Sequence, residues 1–380
     1  MNSKIKVSII GVKGYPYVYG GYETLIKELA ERLVTKNVQL TIYCHRSLFK
    51  DKIKEHNGIR LVYMPSIEIK VLSQLVHSFL STLHACFSKS DILFYVNVAN
   101  GPFGMLTKLF RKKTVINVDG MEWLRPKWKG FGARYFYFAA KQATKYFDVL
   151  VTDALEMQKT YLELFQAKST MIAYGADSFS EKSIQVLAPW KLKENDYYLI
   201  VGRLIPDNNS DIILDAFLSF TSTKQLVIVG DDVFDDPYAL GIKEKIKNNP
   251  NVIFTGYVKD PELLSALYQH CYVYFHGHEF GGTNPTLIKA LAEGTCILAL
   301  NTRFNQEVLQ NGKFGMFFEK DAQNLTAILI KMEQNTSHEQ EMVEQYKNNS
   351  KQGINSTYNW EDITEHYYQI FLNLQHERHI

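Results

Sequence analysis

Short apolar runs alternate with helical repeats through most of this 380-residue chain, and they do so in two separate series. The first opens at Lys6-Val7-Ser8-Ile9-Ile10-Gly11-Val12, a buried strand pattern, and continues with Leu25, Ile26, Leu29 and Leu33 at helical spacing. Further strands are expected at 38–44, 59–64, 91–98, 113–119, 148–153 and 170–174, with helices over 69–87, 102–110, 131–147 and 154–165. A polar, aperiodic break at 175–195, holding Pro189, separates this from the second series. Its strands are expected at 197–201, 225–229, 252–255, 271–275, 296–300 and 315–318, and its helices at 210–220, 238–247 and 261–268. Such alternation dictates right-handed parallel units, hence two doubly wound α/β sheets. The expected domains are 1–180 and 181–358, with an aromatic, amphipathic helix at 359–380 packing back on the first. The polar stretch 333–352 reads as a solvated helix or loop.

Composition narrows the function. Apolar residues make up 46% and charged residues 22%, enough to bury a large core in each half. A net charge of +2 carries no overall nucleic-acid footprint. Cys44, Cys86, Cys271 and Cys296 are scattered, with no C-x-x-C pair, which favours buried thiols over metal ligands. Met1-Asn2-Ser3-Lys4 leads into a strand without a leader pattern, and no run approaches the roughly 20 apolar residues of a membrane span. A cytoplasmic protein is expected.

The stretch His276 to Leu291 holds the most chemistry. It follows the apolar strand Cys271-Tyr272-Val273-Tyr274-Phe275 and runs through Gly281-Gly282-Thr283-Asn284-Pro285 into Leu287, Ile288 and Leu291. Asn284 stands where an N-cap would, and Pro285 at the first helical position. The helix start then offers backbone N–H groups and a positive dipole to an anion, and the glycines allow close approach. His278 and Glu279 sit at its mouth. The bland alternative is a strand-to-helix turn without a ligand. A second glycine-rich loop, Gly14-Tyr15-Pro16-Tyr17-Val18-Tyr19-Gly20-Gly21, follows the first strand. In doubly wound sheets ligands bind beyond the carboxyl ends of strands, so both loops are expected at one shared cleft.

Arg203 emerges past the first strand of the second series, where a guanidinium can grip a diphosphate bidentately. Pairing with Asp207 or Asp231 is the alternative. Asp119 ends a strand and precedes Gly120, placing a carboxylate, with Glu122 nearby, at the same edge; a capping aspartate in a tight turn is the competing reading. Asp153, three residues before Glu156, reads as a helix N-cap in a capping box.

Gly202-Arg203 with the downstream Gly281-Gly282-Thr283-Asn284-Pro285 resembles the retaining GT-B glycosyltransferases of family 4. Gly20-Gly21-Tyr22-Glu23-Thr24, Asn117-Val118-Asp119-Gly120-Met121-Glu122-Trp123, Pro206-Asp207-Asn208-Asn209 and His276-Gly277-His278 are similar to the bacterial polysaccharide rhamnosyltransferase branch. The resemblance spans residues 6–300, and the Trp360 tail resembles the helix that closes back on the first domain. It implies a metal-independent, retaining transfer without cofactor. The donor would be a nucleotide sugar, dTDP-L-rhamnose in this branch, and the acceptor a lipid-linked saccharide of capsule or cell-wall synthesis. Arg203 would hold the diphosphate, with Asn208, Tyr257, His278, Glu279, Gly282, Thr283, Asn284 and Lys289 completing the donor side and Gly20 and Gly21 closing over the phosphates. Asp119 would act as acceptor-side acid/base or orienter, beside Glu23, Thr24 and Glu122; Asp119, Arg203 and Glu279 form the catalytic set. In the family pattern of Glu, seven residues, Glu, the second position is Lys289 here and the first Gly281, with Glu279 two residues earlier. Asn208 replaces the broad family's lysine, as in the rhamnosyl branch. A UDP- or GDP-hexose donor and an inactive nucleotide-sugar-binding subunit are the alternatives. An NAD-type site is disfavoured because Gly14–Gly21 lacks the G-x-G-x-x-G spacing.

The stretch from Lys108 through Arg111-Lys112-Lys113, Arg125-Pro126-Lys127-Trp128-Lys129, Arg134, Lys141 and Lys145 mixes cations with Phe131, Tyr135, Phe136, Tyr137 and Phe138. That mixture suits an anionic membrane surface, so peripheral attachment at the inner face of the cell membrane is expected; a core helix with solvated lysines is the alternative.

Overall fold

The computed structural model describes residues 4–16, 20–67, 69–125, 128, 130–177, 179–230, 236–334, 336–354 and 357–377, apart from the side chains of Lys70 and Val71. Tyr17–Tyr19 of the first glycine loop, Pro126, Lys127 and Lys129 of the basic stretch, and Asp231 lie outside the described residues. The chain forms two compact units, residues 1–175 with 356–380, and residues 176–355.

Unit 1 runs β1 (Ile5–Ile10), α1 (Gly21–Leu33), β2 (Val38–His45), β3 (Glu55–His56), β4 (Ile59–Met64), α2 (Lys70–Phe87), β5 (Ile92–Val96), α3 (Gly104–Leu109), β6 (Lys113–Asn117), α4 (Phe131–Tyr146), β7 (Val149–Thr152), α5 (Leu155–Phe165) and β8 (Thr170–Met171). The sheet order is β3-β4-β2-β1-β5-β6-β7-β8. The chain works outward from β1 to β4 and then returns to β5 on the other side of β1. The switch point therefore lies between β1 and β5, where doubly wound sheets open a ligand crevice. All pairings are parallel except β3 with β4. That small hairpin is absent from the strand pattern above, yet its turn is Asn57-Gly58 with φ of 50° and 75°, a pair suited to a tight two-residue turn.

Unit 2 runs β9 (Tyr197–Val201), α6 (Ser210–Leu218), β10 (Gln225–Val229), α7 (Pro237–Ile246), β11 (Val252–Gly256), α8 (Pro261–His270), β12 (Val273–His276), α9 (Pro285–Ala292), β13 (Ile297–Leu300), α10 (Arg303–Val308), β14 (Met316–Phe318), α11 (Ala322–Glu333) and α12 (Ser337–Lys351). Its parallel sheet has the order β11-β10-β9-β12-β13-β14, with the switch between β9 and β12. The supposedly aperiodic break holds a 3-10 segment, Ile184–Trp190, that buries Leu187. The polar stretch near 340 is helical, and it buries Val343, Lys347 and Ser350.

A last helix, α13 (Trp360–His376), belongs to unit 1. Its Trp360, Ile363, Tyr367, Phe371 and Leu374 recur at 3–4 residue steps and join Leu25, Ile26, Leu29 and Leu33 of α1 over the apolar face of the sheet. Asn359 caps it through Glu361 N at 2.8 Å. Gly175 makes room for Trp360, since a Cβ there would lie 2.6 Å from the indole.

Candidate functional site

In unit 2 the loops after β9 and β12 meet at the switch point. The backbones approach so closely that a Cβ at Gly277 would lie 2.2 Å from the Asn208 carbonyl oxygen. Asn209 Nδ2 donates to Gly277 O at 2.8 Å, and Glu279 N to Asp207 O at 3.0 Å. Asn208 is the hinge pin of this contact: its Nδ2 donates to Arg203 O at 2.8 Å, and its Oδ1 lies 2.7 Å from His278 Nδ1. The structure thus brings Arg203, Asn208, His278 and Glu279 together. Arg203 is exposed, and among the described residues its guanidinium has no partner, Asp207 included. Glu279 accepts from Lys320 Nζ at 2.5 Å, a partner not anticipated from sequence. Asn305 of α10 holds the His278 carbonyl at 3.1 Å.

The start of α9 has the capping expected of it. Asn284 Oδ1 accepts from Thr286 N at 3.0 Å, Pro285 is at the first position, and Gly281 takes φ 120°. Thr283 is buried beside it. His276, at the end of β12, is buried, with no partner for its Nε2 among the described residues, while Nδ1 lies 2.9 Å from Tyr274 Oη. Burial pushes its pKa down to about 3, so the imidazole is neutral at physiological pH. Gly282 lies within the same turn. Lys289 sits a turn further along α9, and its ammonium is held by Glu293 at 2.6 Å and Ser265 of α8 at 2.8 Å. Burial raises the Glu293 carboxyl, but Lys289, Gln269 and Ser265 outweigh it and hold the group below its ordinary value. Tyr257 follows Gly256 at the end of β11 and is 63% exposed.

In unit 1, Gly20 opens α1, and Thr24 N and Oγ1 both return to its carbonyl at 3.0 and 3.2 Å. Glu23 accepts from Lys13 N at 3.2 Å, tying the glycine loop to the helix. Tyr22 next to Gly21 reaches across to Asp119, donating to its carbonyl at 3.0 Å. The Asp119 carboxyl accepts from Tyr174 Oη at 2.8 Å, and its own N–H is fixed by Asn117 Oδ1 at 3.1 Å. Glu122 pairs with Arg125 at 3.0 Å and accepts from Trp128 Nε1 at 2.6 Å. Burial drives the Asp119 carboxyl up; hydrogen bonds with Tyr174 and Asp153 and the Arg125 charge draw it back, and Glu122 adds to the rise. The Tyr22 and Tyr174 phenols stand well above their ordinary value, through burial first and the Asp119 charge next, so both remain donors.

Asp153, read from sequence as a cap with Glu156, stands two residues before Leu155, where α5 opens. Asp153 is fully buried and is one of the groups that act on the Asp119 carboxyl. Tyr22 and Tyr174 had no signal in the residue pattern, since tyrosines are frequent throughout the chain.

Two parallel sheets of this kind, one in each unit and each with its glycine-rich loop at the switch point, are those of the GT-B fold. Residues 185–352 match the family described as glycosyl transferases group 1, and residues 4–177 match a domain of unknown function, DUF1972. An uncharacterized glycosyltransferase of Methanocaldococcus jannaschii is 24% identical over 97% of this chain and 99% of its own. The Campylobacter jejuni N-acetylgalactosamine-N,N'-diacetylbacillosaminyl-diphospho-undecaprenol 4-alpha-N-acetylgalactosaminyltransferase is 26% identical over 41% of this chain and 42% of its own. The Anabaena protein HepE, solved with UDP and glucose, shares the fold at a TM-score of 0.75, with 14% identity over 97% of this chain and 99% of that one.

Proposed function

We propose that the protein moves a sugar from a nucleotide-diphosphate donor, with retained configuration, to a lipid-linked saccharide during synthesis of a capsule or cell-wall polysaccharide. The observation that carries this reading is Arg203, an exposed guanidinium without a partner among the described residues, bridged through Asn208 and His278 to the loop that leads into α9. A departing diphosphate gains negative charge, and a fixed guanidinium with a helix N-terminus stabilises that charge without reorganising. Glu279, held by Lys320, suits the sugar hydroxyls, and Asp119 the acceptor hydroxyl. The motifs shared with the rhamnosyltransferase branch favour dTDP-L-rhamnose; the UDP and glucose bound to HepE favour a second reading, a UDP-hexose.

Thermal-shift measurements with dTDP, UDP, GDP and their sugars separate these. The preferred nucleotide at a hundredfold excess over Kd should stabilise the protein by about 2.7 kcal/mol. A protein that none of them shifts does not use such a donor.

The lipid-linked acceptor is supported by the diphospho-undecaprenol in the name of the Campylobacter relative and by the polarity of α2. This helix is inside out: His77, Ser78, Ser81 and Thr82 are buried, while Leu72, Phe79 and Phe87 are exposed. Met105 and Leu109 of α3 and Phe131 and Phe138 of α4 extend the apolar surface, with Lys108, Arg111, Arg134, Lys141 and Lys145 exposed around them. No helix among the described residues is long and apolar enough to cross a membrane, so the attachment proposed is interfacial. Flotation with anionic vesicles at low salt should carry the protein upward, and Phe79→Ser with Phe87→Ser should abolish it. Equal behaviour with neutral vesicles, or no flotation at low salt, removes the membrane from the proposal.

A further inference from the structure

We propose that unit 1 carries a phosphate-binding cavity at the amino ends of its central strands, at the far end of the sheet from Gly20 and Asp119. The cavity, of about 240 Å³, is lined by Lys6 and Ser8 of β1, Thr41 and Tyr43 of β2, Arg60 of β4, and Lys89 of the segment between α2 and β5. It belongs to neither the donor nor the acceptor side, and it does not rest on the transfer proposed above.

The strand pattern makes the cavity. Central strands of a doubly wound sheet are covered on both faces and ordinarily read apolar on both. One face of β1, β2 and β4 obeys this: Ile5, Val7, Leu40, Ile42, Ile59 and Leu61 join α1 and α13 in one core. The opposite face is polar where each strand begins. The register sets Ser8 beside Thr41 and Thr41 beside Arg60 in one row, with Lys6 beside Gln39 in the next. β1 and β2 lie inside the sheet, so this is not the polarity of a solvated edge. The hydroxyls there are held in place. Ser8 is buried with its Oγ 2.6 Å from Ser90 Oγ, which lies 2.8 Å from Ser88 Oγ. Tyr43 Oη lies 2.9 Å from His84 Nδ1, and burial pushes the phenol up to about 12, so it stays protonated.

The charges point to an anion. Among the described residues the side chains of Lys6, Arg60 and Lys89 have no acidic partner. Glu55 stands opposite Arg60 in the β3–β4 pair, yet no ion pair joins them. Lys112 Nζ donates to the carbonyls of Ser88 and Ser90 at 2.9 and 3.0 Å, which adds a fourth cation behind the same segment. The acid nearby is Asp91, whose Oδ2 accepts from Lys6 N at 2.9 Å. Cations gathered around a concave polar surface focus a positive potential that an anion relieves. Arg60 offers the planar fork that matches phosphate oxygens, the lysines add point charges, and the hydroxyls suit a polar head group. The volume falls below the roughly 300–1,000 Å³ of pockets for drug-sized ligands, so it suits a phosphate on a small head and not a nucleotide. Beside Ser88, Phe87 is 73% exposed and its ring packs on Phe110, with centroids 4.9 Å apart. The phosphate therefore comes from a soluble phosphate ester or from a phospholipid headgroup whose chains rest on that apolar rim; the chemistry that recognises it is the same.

The test is isothermal titration calorimetry on the full chain at low salt. The probes are inorganic phosphate, glucose 1-phosphate, and dihexanoyl phosphatidic acid below its micellar concentration. At least one should bind, and more weakly as salt rises. Arg60→Gln and Lys89→Gln should each weaken that binding by about tenfold or more, the effect of losing one charge-assisted hydrogen bond. Both side chains are exposed, so neither variant should disturb the fold. The same binding should persist in Arg203→Ala, which removes the diphosphate grip of unit 2. Binding confined to the two soluble probes assigns the site to a soluble phosphate ester, and binding confined to the lipid assigns it to a headgroup. Binding of both kinds means that the phosphate alone is read. Binding by none of the probes, binding unmoved in either Arg60→Gln or Lys89→Gln, or binding lost in Arg203→Ala overturns the proposal. A protein that no nucleotide stabilises overturns the transfer reading instead, and the calorimetric result stands independently of it.

Discussion

Arg203→Ala is expected to lower the rate of sugar transfer by about 10²–10³-fold, the usual effect of removing one fixed donor from a developing oxyanion. The fold should not register the change. The Arg203 side chain is exposed and has no partner among the described residues, and surface substitutions of that kind usually stay within about 0.5 kcal/mol. What positions Arg203 is its backbone: Asn208 holds its carbonyl, and the Gly277 contact locks that loop against the one after β12. Alanine leaves all of this in place and deletes only the cation. Arg203→Lys should recover part of the rate, since it restores charge but not the two-pronged geometry that matches a diphosphate. Circular dichroism and melting temperature check the fold, and kcat with the donor found by thermal shift checks the chemistry. An alanine variant within threefold of wild type takes Arg203 out of its role.

The residues that could be read from sequence and those that could not differ in a physical way. Strand and helix periods are local, so β1, β9, α2 and α9 stand close to where the pattern puts them. The Asn284 cap and Pro285 were legible because a helix start is encoded within three residues. Strand ends were read too long, as at 170–174 against Thr170–Met171, because apolar residues continue past the last ladder bond into the buried strand end. The Asp119–Asp153 pair was hidden for a different reason: it depends on which strands are neighbours, and residue spacing does not state sheet order. Lys289 likewise required tertiary knowledge, because Ser265 approaches it from another helix.

Unit 1 should depend on a helix that comes from the far end of the chain, and Phe371→Ala tests it. Phe371 is fully buried in α13, with its ring centroid 6.0 Å from Phe94 of β5 and 6.4 Å from Tyr367. Truncating such a ring removes its burial and leaves a cavity, at a cost of about 3–5 kcal/mol. That is a large part of the 5–15 kcal/mol by which domains are ordinarily stable. The ion pairs on the same helix work on a smaller scale. Glu361 meets Arg32 at 3.1 Å but is 75% exposed, so Glu361→Ala should cost under about 1 kcal/mol. Two units need not unfold together, and the four tryptophans allow them to be followed separately. Trp123, Trp128 and Trp360 lie in unit 1, and Trp190 alone lies in unit 2. In a variant keeping only Trp190, Phe371→Ala should leave the denaturant midpoint unchanged. In a variant keeping only Trp123, the same substitution should lower it sharply. Equal shifts at both reporters would mean that the two units melt as one body, and that α13 does not act on unit 1 alone.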